Sequence, residues 1–214
     1  MENNKKIYTV ILGDLIDSRK VEDPSGFMKI AEKTYEHINR KYREEFFAPL
    51  TISHGIDEVI AVLKKPACAY MICSEINTLF SPRKMRFAIV RNNVIANDNI
   101  IDPHFMTGTA FHIASEKLRT ARKKCLPYCF MINKDSEEIN QLLDHTAELI
   151  DIIESGRSHR QNEIINAYTQ NNNQNDVADR FSISQQAVSE ILKTSKLVNC
   201  RNAKDAINKI LQKA

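Results

Sequence analysis

The chain has 214 residues, 43% of them hydrophobic, and a formal charge of +3. That length buries a full core and accommodates one large domain, or a large one with a small companion. No run approaches the roughly 18 apolar residues of a membrane span. The five cysteines, at 68, 73, 125, 129 and 200, are odd in number, contain no CxxC pair and follow no secretory signal, which points to a reduced, cytoplasmic protein.

In chain order, Ile7-Tyr8-Thr9-Val10-Ile11-Leu12 reads as a buried strand with Gly13-Asp14 at its tip. After Pro24-Ser25-Gly26 the apolar positions Phe27, Ile30, Ala31, Tyr35, Ile38 and Tyr42 recur at helical spacing. Leu50–Ser53 and Val59–Leu63 form two strands around the turn Gly55-Ile56-Asp57-Glu58, a hairpin with acids at its tip. Glu58 and Arg86 are placed to pair across it. Pro66 opens a second helix, which Ser81-Pro82 stops. Met85–Val90 is a fourth strand, continued by or followed by Val94–Ala96. Ala110 to about Lys123 is a third helix, Tyr128–Ile132 a further strand, and Glu137–Glu154 a last helix before the tail. The order β-α-β-β-α-β with further helix and strand is the split-βαβ pattern. The expected fold class is therefore α/β (α+β): a ferredoxin-like split-βαβ sheet domain over 1–155, then a small all-α domain over 156–214.

Charge is unevenly shared. Residues 157–214 hold nine Lys/Arg against five Asp/Glu, so the excess of positive charge lies in the tail. There, Val177, Ala178 and Phe181 give a short helix a buried face, Ile183 fills a turn, and Ser184 caps a second helix whose Ala187, Val188, Ile191 and Leu192 point inward. This is the spacing of a helix-turn-helix, with Gln170–Asn175 as a polar loop before it. Gln185, Gln186, Ser189 and Lys193 lie on the outer face of the second helix, where glutamine can bond adenine, and Thr194, Lys196 and Arg201 are placed for phosphates of double-stranded DNA. A bundle that docks on another protein has the same spacing.

Three of the five glycines precede polar clusters: Gly13 before Asp14-Leu15-Ile16-Asp17-Ser18-Arg19, Gly55 before Asp57-Glu58, and Gly108 before Thr109-Ala110-Phe111-His112. In a split-βαβ sheet the end of strand one and the hairpin turn are neighbours, so Asp14 and Asp57 are candidate ligands of Mg²⁺. The backbone from Ile16 through Asp17 and Ser18 to Arg19 is a candidate cradle for phosphate. The alternative for both acids is that polar residues end buried strands.

These motifs, in this order over residues 7–132, resemble the SatD family, whose members carry a Gly-Asp-hydrophobic-x-x-Ser-Arg strand end and a later Gly-Asp-Glu-like hairpin. More distantly they are similar to class III nucleotide cyclases and the GGDEF fold, in which Asp14 and Asp57 would match metal-binding acids. The sequence departs from the pattern at Asp17, where glycine is usual, at Ile56 in the hairpin, and in Phe87–Asn92, which lacks glycines. Those departures imply a ligand-sensing or dimerising domain more than a catalyst. The expectation is thus a homodimeric DNA-binding transcriptional regulator that senses a small phosphorylated ligand. The alternatives are a metal-dependent nucleotidyl transferase or cyclase-like enzyme with a DNA-localising tail, and an adaptor whose tail grips protein.

Overall fold

A computed structural model describes residues 5–55, 57–96, 101–133 and 136–214. The chain forms two compact units, Met1–His145 with Ile207–Ala214, and Thr146–Ala206.

The first unit is built on a five-stranded sheet. Its elements are β1 (Lys5–Leu15), α1 (Pro24–Lys41), β2 (Phe46–His54), β3 (Glu58–Leu63), α2 (Ala69–Phe80), β4 (Met85–Ile95), α3 (Thr109–Lys124) and β5 (Tyr128–Met131). The strand order is β2-β3-β1-β4-β5. The first four strands are antiparallel and interleave as two split βαβ units, while β5 joins β4 in parallel through α3. The expected mixed α/β sheet is what the chain forms.

Strand alternation divides the sheet into two faces. Val10, Ala88, Val90 and Val94 pack with Ala110, Ala114 and Leu118 of α3. On the other face, Tyr70 of α2 meets Tyr128 edge-on at 5.0 Å, and the Tyr35 hydroxyl of α1 reaches the Met85 sulfur at 3.7 Å. Gly13 lies on this second face, where a Cβ would come within 2.6 Å of the Phe87 ring. α3 is preceded by Gly108 at its N-cap, whose φ of +131° suits glycine and whose Cα sits so close to β4 that a Cβ would be 2.5 Å from the Asn93 carbonyl oxygen. Gly108→Ala is therefore expected to destabilise the protein by about 2 kcal/mol, read as a lower urea midpoint with an unchanged m-value.

Three boundaries differ from the sequence reading. β2 begins at Phe46, through Pro49, because an edge strand tolerates a missing N–H. α2 begins at Ala69, whose N–H bonds back to the Pro66 carbonyl, so Pro66 lies just before the helix and not in its first turn. Val94–Ile95 continue β4 because β1 pairs with them along its whole length.

α4 (Glu137–Ser155) follows, and its first half closes one edge of the sheet. β5 is the last strand, so its outward N–H groups have no neighbouring strand. Asp144 Oδ1 accepts from Phe130 N–H at 2.6 Å, and Asn140 Oδ1 accepts from Ile132 N–H at 2.9 Å. Asn140 Nδ2 also donates to the Asn133 carbonyl at 2.7 Å. Two side chains one helical turn apart thus imitate a sixth strand. Both are buried.

The second unit contains α5 (His159–Asn171), α6 (Gln174–Phe181), α7 (Gln185–Thr194) and most of α8 (Leu197–Lys213). Its core is Ile164, Ile165, Val177, Ala178, Val188, Leu192 and Leu197. The caps are strong: Ser158 and Gln161 form a capping box on α5, and Ser184 accepts from Ala187 N–H to start α7, as the sequence indicated. The asparagine-rich segment is shorter as a loop than expected. Asn172 takes the left-handed conformation to end α5 and Asn173 caps α6, so only these two residues separate the helices.

Candidate functional site

One end of the sheet gathers the chemistry. Here β1 ends, the β2–β3 hairpin turns, β4 starts and α3 runs out. The register places Asp14 directly across from Glu58 on β3 and from Arg86 on β4, so these three residues share the α3 face. Asp14 is 5% exposed. Its Oδ2 accepts from Arg86 Nη1 at 3.1 Å and its Oδ1 from Arg122 Nη2 at 2.8 Å. Arg86 is well buried, whereas the Arg122 side chain, from the last turn of α3, is 59% exposed. One carboxylate therefore holds two guanidinium groups. Arg86 Nε is buried with no hydrogen-bond partner among the described residues.

Around this cluster lie Arg19 and Lys20 after β1, Arg83 and Lys84 before β4, and Lys123 and Lys124 at the end of α3. Asp17, Glu22, Asp23, Asp57 and Glu58 are the acids among them; Asp17 pairs with Lys20 at 2.9 Å and Asp23 caps α1. The rim of the sheet at this end is basic.

Asp14 and Asp57 are neighbours, but through the backbone. Leu15 N–H donates to the Asp57 carbonyl at 2.7 Å, which sets Asp57 one position beyond Glu58. By alternation the carboxylate on Asp14's own face belongs to Glu58. Asp57 instead turns back over the hairpin, its Oδ1 beside Gly55. Ile56 lies outside the described residues. The expected Glu58–Arg86 ion pair is replaced by Asp14–Arg86, since Asp14 is nearer to the centre of the row. Among the described residues no group of three or more His, Cys, Asp or Glu side chains is set to hold a metal ion. Both Asp14 oxygens face guanidinium nitrogens, so this arrangement does not fit a magnesium ion and no step through one follows from it.

The phosphate cradle expected at Ile16–Arg19 is partly committed elsewhere. Ile16 N–H donates to the Lys84 carbonyl at 2.9 Å, and Asp17, at φ +57°, starts a 3₁₀ turn over Ser18–Lys20. Arg122 was not singled out in the sequence. Its signal was the basic run Arg122-Lys123-Lys124, which also suits any helix C-terminus.

In the second unit Gln185, Gln186, Ser189, Lys193, Thr194, Lys196 and Arg201 are all exposed. Gln185 is tied to Gln174 and the Thr194 hydroxyl turns back to the Glu190 carbonyl. Exposure of this kind is what any outer helix face shows.

The fold and this row of residues define a mixed α/β protein with a split-βαβ sheet and an arginine-clamped carboxylate at the sheet's end. The chain belongs to the SatD family, whose model matches residues 8–210. No functionally curated protein matches it. Among solved structures it is similar to a bacterial light-regulated adenylyl cyclase, at 15% identity and a TM-score of 0.45, over 59% of this chain and 76% of that one. A second structure of a bacterial light-regulated adenylyl cyclase matches at 13% identity and TM-score 0.42, over 61% of this chain and 44% of that one. The GGDEF domain of a Pseudomonas aeruginosa protein matches at 12% identity and TM-score 0.38, over 63% of this chain and 89% of that one. Likeness at this level says nothing about ligand or activity.

The family match corrects the expectation of a DNA-binding transcriptional regulator. It runs through the helical tail to residue 210, so the tail is part of what makes a SatD chain and not a separate DNA-reading module attached to one. The apolar spacing that suggested a recognition helix is accounted for by the core of the second unit. No helix among the described residues is long and apolar enough to cross a membrane.

Proposed function

We propose that the sheet unit of this SatD-family chain binds a nucleoside polyphosphate at the basic rim around Asp14, as a cyclase-like nucleotide-handling domain. The observation that carries this reading is the imbalance at Asp14, where two guanidinium groups share one carboxylate and Arg86 Nε is left without an acceptor. Buried donors in excess of acceptors favour a further anion. Arg122, more than half exposed, is free to turn from Asp14 to a phosphate oxygen, where a guanidinium binds two oxygens side by side. Arg86 holds Asp14 in place meanwhile, and the surrounding lysines and arginines raise the local concentration of polyanions.

The test is calorimetric titration of the full chain with ATP, GTP and tripolyphosphate, with and without Mg²⁺. Saturable binding is expected, and Arg122→Ala is expected to weaken it by about 10-fold or more, the worth of a charge-assisted hydrogen bond. No saturable binding at millimolar nucleotide, or undiminished binding by Arg122→Ala, would overturn the proposal.

A further inference from the structure

One aromatic ring stands outside every core. Phe105 is 70% exposed, whereas every other phenylalanine and tyrosine among the described residues is buried or half-buried. It closes a 3₁₀ turn over Pro103–Phe105, between β4 and α3, and the turn is pinned on both sides of the ring. Asp102 caps the turn by accepting from the His104 N–H at 2.9 Å, and the Phe105 and Met106 N–H groups donate to the Asp102 and Pro103 carbonyls at 3.1 and 3.2 Å. Pro103 is buried, and Met106 enters the core beneath α3. The His104 ring lies 2.7 Å from Asp102 Oδ1 and 3.1 Å from the Ile52 carbonyl oxygen of β2, which ties the turn to the sheet. A single exposed apolar side chain is ordinary. Fixed backbone and position set this one apart.

Ile52 pairs with Val59, and Val59 with Gly13, the residue before Asp14. Two strand spacings, about 10 Å, therefore separate the tied point from β1. Met106 packs in the same cluster as Leu12 of β1 and Ala110 of α3, so the turn and α3 lie on one face of the sheet, the face that carries the Asp14 carboxylate. α3 covers β4 and β1 there, and the turn covers β2 and β3. Between them Leu12 and Glu58 are only half-buried. Arg122 thus stands on one side of this strip and Phe105 on the other, with Glu58 in the row between. A nucleotide presents its chemistry in the same order: phosphates, then a sugar bearing hydroxyls, then a flat base. Glu58 accepts from hydroxyls and repels phosphate, which sets the direction.

We infer that Phe105 is the stacking platform for the base of a nucleotide whose phosphates are held at Arg122, an inference that rests on the nucleotide-binding reading above. A ring face stacks on any base, so the platform favours nucleoside polyphosphates over inorganic ones without choosing between adenine and guanine. The pinned turn matters because a platform already fixed loses little freedom on binding.

Calorimetric titration of the full chain and its variants with ATP, GTP and tripolyphosphate separates the platform from the phosphate site. The wild type is expected to bind both nucleotides more tightly than tripolyphosphate. Phe105→Ala is expected to weaken ATP and GTP by about 10-fold, the usual worth of one stacked base, and to leave tripolyphosphate unchanged. Phe105→Tyr keeps the ring and should keep the affinity, while Arg122→Ala should weaken all three ligands. The circular dichroism spectrum should not change in any of these variants, because both side chains are exposed. Unchanged nucleotide affinity in Phe105→Ala, with tripolyphosphate still bound by the wild type, overturns the platform and leaves the phosphate site standing. An equal loss for tripolyphosphate and ATP in Phe105→Ala also overturns it, since the turn would then act only as a support. If the wild type binds none of the three ligands, the nucleotide-binding reading itself falls, and the platform with it.

Discussion

Replacement of Asp14 by alanine is expected to cost about 3 kcal/mol of folding stability and to lower the melting temperature by roughly 6–12 °C. The cause is the charge left behind. Arg86 is 11% exposed at its side chain, and without Asp14 it stays buried with no counter-ion, already lacking a partner at Nε. Arg122 contributes little to this loss because it can turn to water. The double variant Asp14→Ala/Arg86→Met should recover most of the stability, since an apolar side chain of similar length removes the unpaired charge. A loss below about 1 kcal/mol for Asp14→Ala, by urea denaturation, would show that the pair is dispensable. The same set separates stability from binding: Arg122→Ala should fold normally and fail in the nucleotide titration.

Asp144 is expected to make the protein less stable as pH rises from about 4 to about 6. Burial pushes its carboxyl up to about 6, against the opposing pull of the Phe130 N–H and Lys117. In the unfolded chain it titrates near its ordinary value of about 4. Across this window the unfolded state has lost the proton and the folded state still holds it, so stability falls with pH and levels off above about 6. The full effect is about 2–3 kcal/mol. Asp144→Asn retains an acceptor for Phe130 N–H and removes the titration, so its stability should be nearly flat over the same window. Asp144→Ala should instead lose stability at every pH, because the Phe130 N–H is then orphaned. A wild-type slope no steeper than that of Asp144→Asn would sink this account. The neighbouring Cys129 thiol, pushed up to about 12 chiefly by burial, takes no part in this range.

Much of the sheet was legible because local pattern and tertiary role agree. The apolar centre of β1, Val10–Leu12, is continuous because β1 there lies inside the sheet with helices on both faces, whereas Ile7 at its start is exposed. Ser184 was readable as a cap because capping needs only neighbouring residues. What escaped depends on residues far apart. Asp14 and Arg122 are 108 positions apart, and nothing local to either announces the other. The metal pair Asp14 and Asp57 was one residue out of step with the face that Glu58 occupies, and alternation turns a shift of one into the opposite side of the sheet. The inward-facing polar stripe of Asn140 and Asp144 could not be understood before β5 was known to be an edge. The tail misled differently. Its pattern of buried positions was correct, and the error lay in giving an outward face a task on the strength of its residue types alone.

The two borders of the sheet are defended against polymerisation by unlike means. At β5 the exposed row of amides is answered from within the same molecule, so a foreign strand finds nothing to bind. At β2 the border is irregular: Pro49 interrupts the row of donors, and the pairing with β3 shifts register between Phe46 and Ala48, Ala48 and Thr51, and Ile52 and His54. A second copy cannot dock a straight strand along either side. Loss of the α4 cap would open the smoother of the two, so a variant lacking both Asn140 and Asp144 should form fibrils or higher oligomers more readily than the parent protein.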